Sequence, residues 1–140
     1  MASRSWVFLV AGLVLGAGLQ WPRAVGAEPA AKVFEIRTYH TFPGRLDALH
    51  KRFREHTMKI FEKHGMTNVG YWVPQDSPAH ESTLVYVISH SSRDAAKASW
   101  AAFNADPEWK KVSEDSQKDG KIVERVESVF MDATDYSPIK

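Results

Sequence analysis

The stretch KVFEIRTYHTFPGR, residues 32–45, decides the fold. Its side chains alternate as a β-strand requires: Phe34 and Ile36 point one way, and Val33, Glu35, Arg37 and Tyr39 the other. The strand stops at Pro43-Gly44, a turn, and runs into an amphipathic helix. An antiparallel strand with one apolar face turns the other to water or to a lined pocket. The second face here carries an acid, a base and a phenol in a row.

Upstream, Arg4 precedes an unbroken apolar run from Trp6 to Leu19, and Val25-Gly26-Ala27 supplies the small or branched residues a signal peptidase reads. The pattern is that of a secretory signal peptide, residues 1–27, cleaved after Ala27. The run is shorter than the roughly 20 residues a membrane-spanning helix needs. The expected location is therefore exported, periplasmic or secreted, with no stable membrane insertion once the leader is gone. Residues 28–140 then form one domain. The leader contains Arg4 and Arg23 and no acid, so its removal takes the formal charge from +1 to −1. A balance so near zero gives no electrostatic case for nucleic acid. The chain has no cysteine, which excludes disulfides and thiolate metal sites. An exported domain without disulfides is held by its core or by a partner subunit.

Downstream, Leu46, Leu49, Phe53, Ile60 and Phe61 recur at helical spacing and predict a helix over Arg45–His64, capped by a left-handed Gly65. MTNVGYWV, residues 66–73, reads as a second strand with a bulge at Gly70, and TLVYVIS, residues 83–89, as a third, apolar on both faces and so central. Ser91 and Asp94 have capping-box spacing before a helix that carries Ala96, Trp100 and Phe103. Asp106-Pro107 starts another helical piece, with Trp109 and Val112 on its apolar side, and residues 121–131 make the last strand.

The order strand, helix, strand, strand, helix, strand is a doubled split βαβ unit. It predicts an α+β, ferredoxin-like fold: a four-stranded antiparallel sheet, first and third strands in the middle, both helical layers on one face. The other face, expected to carry Val33, Tyr39, Trp72, Val85, Val87 and Val129, asks for a cover. A second copy, sheet to sheet, would supply it and give a homodimeric α+β barrel.

EIRTYHTFPGRLDAL at the first strand and helix, KHG and then VGYWV around the second strand, DPEW after Phe103, and the closing DYSP occur in the order seen in the NIPSNAP family. From about Val33 to Pro138 the chain resembles that family, in the form of a bacterial-type exported member. The resemblance implies a dimeric, ferredoxin-like α+β barrel and no settled activity. Animal members are mitochondrial and linked to vesicle traffic and mitophagy; a secretory leader does not carry those roles over.

The candidate ligand-binding residues are Glu35, Arg37, Tyr39, His64, Trp72 and Trp100. In a barrel interior Arg37 holds a carboxylate or an enolate, and Glu35 serves as a base if burial raises its pKa. The alternative is ion pairing, Glu35 with Arg125 or Arg37 with Glu127. His64 belongs to KHG at a helix end, where a cation against the helix dipole explains it equally well. Tyr71, Trp72, Tyr86, Trp100 and Trp109 either line a cavity for a flat organic ligand or form core. His56 and His64 lie two helical turns apart, His50 faces elsewhere, and no HxxxH or HxH pair stands beside a carboxylate, so no metal site is expected. No histidine is placed to favour haem, and GxSxG, GxGxxG and the P-loop are absent, so no cofactor is expected and no catalytic residue can be named. Two functions stand: a dimeric barrel for a small organic ligand, with cofactor-independent monooxygenase or isomerase chemistry as its enzymatic form, and a non-catalytic structural or interaction dimer of the cell envelope.

Overall fold

The computed structural model describes residues 31–140. The leader expected over residues 1–27 lies outside them. The chain runs β1 (Val33–Thr41), α1 (Leu46–Arg52), a π-helical turn (Phe53–Thr57), α2 (Met58–Lys63), β2 (Thr67–Trp72), β3 (Thr83–His90), α3 (Arg93–Ala105), α4 (Pro107–Ser116) and β4 (Val123–Asp132). A short 3₁₀ turn, Ala79–Glu81, precedes β3. The sheet order is β2-β3-β1-β4 and every pairing is antiparallel. This is the expected ferredoxin-like α+β architecture, with the first and third strands central.

Most boundaries follow their sequence signals. Gly65 takes a left-handed φ of 77°, and the amides of Gly65 and Met66 bond to the carbonyls of Glu62 and Phe61, a paired closure of the helix C-terminus. Asp106 caps α4, its carboxylate accepting from the Glu108 amide at 2.8 Å with Pro107 in the first turn. The β2 register slips between Asn68 and Gly70, where a bulge was expected. At α3 the cap is Ser92, which accepts from the Ala95 amide at 3.0 Å; the expected Ser91–Asp94 box is one residue out. The helix over 46–63 is not uniform either. Its middle widens into the π turn, and the buried Thr57 hydroxyl donates to the Arg52 carbonyl at 3.2 Å.

The core is a single cluster. Leu49, Phe53, Ile60 and Phe61 from the first helical layer meet Leu84, Tyr86 and Ile88 of β3, joined by Met66, Phe103 and Ile122. Tyr39, Tyr71, Trp100 and Trp109 pack against it. In an antiparallel pair directly opposed residues share a face, and β1 is paired Glu35 to Ile88, Arg37 to Tyr86 and Tyr39 to Leu84. Glu35, Arg37 and Tyr39 therefore lie on the helix-covered face, together with Val33. This corrects the expectation that put Val33 and Tyr39 on the uncovered side. That side carries Ile36, Val85, Val87, Val129 and Trp72, as the pairings Ile36 to Val87 and Val129, and Val85 to Trp72, require. Val129 and Trp72 are more than half exposed there. Phe34 shares this side yet is buried, because the C-terminal tail lies over it. Tail residues Ala133, Thr134, Ser137 and Ile139 close a hollow of about 300 Å³ with Phe34, Trp72 and Met131.

Candidate functional site

Glu35, 1 % exposed, is the centre of the buried polar cluster. One carboxylate oxygen accepts from Arg37 Nη1 at 2.6 Å and Ser128 Oγ at 2.7 Å; the other accepts from Trp100 Nε1 at 2.7 Å and from His90 Nε2 at 3.1 Å. Four donors thus converge on two oxygens, delivered by β1, β3, β4 and α3. Burial pushes the Glu35 pKa up, but the hydrogen bonds from His90, Ser128, Trp100 and Arg37 outweigh it and bring the value down to about 2. Glu35 is accordingly an anchored carboxylate at neutral pH and not the raised-pKa base that burial alone suggested. An ionised Glu35 can only accept, so His90 donates to it from Nε2; its buried Nδ1 has no partner among the described residues.

Arg37 takes this anchor as its anion. The pairings weighed from sequence, Glu35 with Arg125 or Arg37 with Glu127, do not form: Arg125 and Glu127 pair with each other on the exposed side, beside His40. The Arg37 guanidinium lies over the Trp100 ring at 4.3 Å and within 5.6 Å of the Tyr39 ring, and its side chain is 18 % exposed. Glu35 occupies one of its nitrogens. Its buried Nε has no partner among the described residues, and Tyr86, the residue paired with it across β1 and β3, has its hydroxyl beside Tyr39. Burial pushes the Tyr86 phenol well above its ordinary pKa, so it keeps its proton and remains a donor.

Arg52 is buried, beside Leu49 and Phe53 of the same helical layer. Its guanidinium lies over Trp109 at 5.3 Å. Its hydrogen-bond partner is the Ser116 hydroxyl at 3.5 Å, the outer limit for such a bond. Burial lowers its pKa.

Of the six residues singled out from sequence, Glu35, Arg37, Tyr39 and Trp100 come together. Trp72 lies on the opposite sheet face. His64 lies at the end of α2, where it bonds to Asp106 at 2.6 Å while Lys63 reaches the same carboxylate at 2.8 Å. Lys63, His64 and their fields hold Asp106 well below the usual carboxylate range. KHG and DPEW are thus two halves of one clasp that ties α2 to the start of α4. Sequence reasoning missed His90, Ser128 and Arg52 as members of the buried layer. His90 was detectable, since it continues the i, i+2 row of Tyr86 and Ile88; Arg52 adjoins Phe53 in the apolar stripe; Ser128 carries no local signal.

An antiparallel four-stranded sheet with helices on one face defines a ferredoxin-like α+β domain. The NIPSNAP family model matches residues 34–138, and the chain belongs to the NIPSNAP family. Its solved relatives include a NIPSNAP family protein of unknown function from Agrobacterium tumefaciens str. C58, at 26 % identity and TM-score 0.68, covering 81 % of this chain and 97 % of that one. A NIPSNAP-like domain protein from Burkholderia xenovorans is 16 % identical with TM-score 0.67, covering 78 % and 90 %. SnoaB, a cofactor-independent oxygenase from Streptomyces nogalater, shares the fold at 13 % identity and TM-score 0.53, covering 78 % and 99 %. No curated protein matches the chain.

Proposed function

We propose that this is an exported NIPSNAP-family domain that acts as a homodimeric barrel and binds a small organic ligand between its sheet and its helices, against Arg37, Tyr39 and Trp100. The observation that carries the reading is Arg37 itself. A guanidinium stacked between aromatic rings, anchored through one nitrogen and still partly open, is a preorganised donor for an oxygen-bearing ligand. The exported location follows from the leader pattern, and the dimer from the uncovered aliphatic face. Where chemistry occurs, the site's contribution is stabilisation of negative charge on a ligand oxygen; Glu35, saturated by four donors, does not abstract a proton. SnoaB is an example of a related fold in which an oxygenase works without a cofactor.

The same saturation favours a second reading, a non-catalytic envelope dimer in which Glu35 and Arg37 are a structural pair. One experiment separates them. The chain, expressed with its own leader, is purified from outside the cytoplasm, its N-terminus is sequenced, and the denatured protein is searched by mass spectrometry for a released compound. The ligand reading expects Glu28 as the first residue and a stoichiometric small molecule that disappears in Arg37→Gln. A protein that is repeatedly empty, with Arg37→Gln differing only in stability, would leave the structural reading.

A further inference from the structure

A cleft of about 520 Å³ lies between α1 with its π turn and α4. Its lining follows helical spacing. Arg45, Ala48, Arg52 and Glu55 succeed one another at three or four residues along the first helix, and Glu108, Val112, Ser116 and Asp119 do so along α4 and just past it. The π turn supplies Glu55, and such widenings recur at functional sites. At Ser116 the two helices bring their arginines together: Arg52 Nη1 donates to the Ser116 hydroxyl at 3.5 Å, and Arg45 Nη2 to the Ser116 and Gly120 carbonyls at 3.4 and 2.9 Å. Arg52 is 6 % exposed and meets no carboxylate among the described residues, whereas buried Glu35 has Arg37 and buried Asp106 has Lys63. A guanidinium keeps its charge on burial, so the deficit stands. The Nε atoms of Arg45 and Arg52 are both buried without partners, and buried donors in native proteins are almost always paired.

The cleft is as short of cations as of anions. Lys63 holds Glu108 at 3.1 Å, and Lys111 and Lys118 hold Asp115, but neither Glu55 nor Asp119 meets a lysine or arginine among the described residues. Glu55 has only His56, at 3.8 Å. The arginines and lysines of the lining balance its carboxylates, so a simple anion drawn to Arg52 is repelled by the acids around it. Ala48 and Val112, both half-buried, add an apolar strip to the same walls.

We propose that this cleft binds a small aliphatic zwitterion, an amino carboxylate whose carboxylate sits on Arg52 beside Arg45, whose methylenes lie on Ala48 and Val112, and whose ammonium meets Glu55 and Asp119. Each end of such a ligand answers a charge that the chain leaves unpaired, and its zero net charge leaves the balance of the cleft intact. Neither Arg37, Tyr39 nor Trp100 lines this cleft, so the site is separate from the one proposed above and stands or falls without it.

The test titrates the purified protein calorimetrically, at fixed ionic strength, with ε-aminocaproate, its methyl ester and its N-acetyl derivative. The ester removes the carboxylate charge and the acetyl group the ammonium charge. ε-Aminocaproate is expected to bind at least tenfold more tightly than the ester, the worth of hydrogen bonds from a buried guanidinium to a charged group. Its advantage over the N-acetyl compound should be smaller, about threefold, because Glu55 and Asp119 are exposed. Arg52→Gln should erase the first preference. Glu55→Gln combined with Asp119→Asn should erase the second, and because both residues are exposed this variant should melt as the wild type does, which keeps the test decisive if Arg52→Gln fails to fold. An N-acetyl compound that binds as tightly as ε-aminocaproate, or acid substitutions without effect on that ratio, overturns the zwitterion. Equal binding of all three, or binding of none, overturns the site and leaves Arg52 to hydration and to its stacking on Trp109.

Discussion

The two faces of this sheet both mix charged and apolar side chains, but they do so at different depths. The helix-covered face holds Glu35, Arg37 and His90 beside Tyr86 and Ile88; the open face presents Ile36, Val85, Val87 and Val129. On the covered side every carboxylate lone pair that burial strips of water is answered by a protein donor, so charge is retained inside at a tolerable cost. On the open side aliphatic rows face outward, tolerated within one chain only where the C-terminal tail shelters Phe34. The difference teaches that hydrophobic alternation reports which residues share a face, not which face is inside. A strand with buried residues on both faces, as β1 has in Phe34 and Glu35, has no single core face to announce.

The sharpest way to break the contrast is to remove the inner charge. Glu35→Ala leaves Arg37 without its anion and orphans donors from Ser128, Trp100 and His90; it should cost about 3–5 kcal/mol in urea unfolding at pH 7. The pH dependence carries the same information. Because the folded pKa of Glu35 is lowered to about 2 from 4.5, the stability it contributes is complete above pH 4.5 and is lost as pH falls from there towards 2. The loss amounts to about 3 kcal/mol, and Glu35→Gln should lose that share of the acid dependence and keep only the part that Asp106 and Asp115 contribute. A change below about 1 kcal/mol in both measurements would show the inner cluster to be incidental.

The next largest effect belongs to the outer face. Val87→Asp places a charge at the centre of the proposed sheet-to-sheet contact and should weaken self-association by roughly 2–3 kcal/mol, read as a fall in mass by light scattering, while the isolated fold tolerates it. A wild-type mass of one chain would remove the reason for the exposed aliphatics. The smallest effect is expected at Gly70. A methyl group there would lie 2.5 Å from the Trp72 ring, which is 53 % exposed and free to swing away. Gly70→Ala should cost less than about 1 kcal/mol but shift Trp72 fluorescence, and a dimer that uses Trp72 should loosen.

Much of the fold was legible because it is written in local signals. Gly65, Asp106-Pro107 and the alternation of β1 and β3 each act within a few residues, and the strand order follows from connection rules. The inner cluster was only half legible. Glu35, Arg37 and Tyr39 share a strand, so their grouping was visible. Their partners come from residues 90, 100 and 128, and no spacing encodes an encounter across so much chain. The direction of the Glu35 pKa failed for the same reason: burial is suggested by sequence, whereas four donors are a property of the assembled layer. His64 and Trp72 were drawn into the site by residue type and belong elsewhere.

The widened turn at Phe53–Thr57 has its own consequence. A residue removed from an α-helix rotates everything beyond it by about 100°. The π turn is a place where the helix already carries extra chain, with Arg52 just before it and Ile60 and Phe61 just after. A deletion there would turn the cation-bearing half against the half embedded in the core, with no side chain of either exchanged. The Arg52 guanidinium can in this way be re-aimed by chain length alone, as a gear is advanced by one tooth.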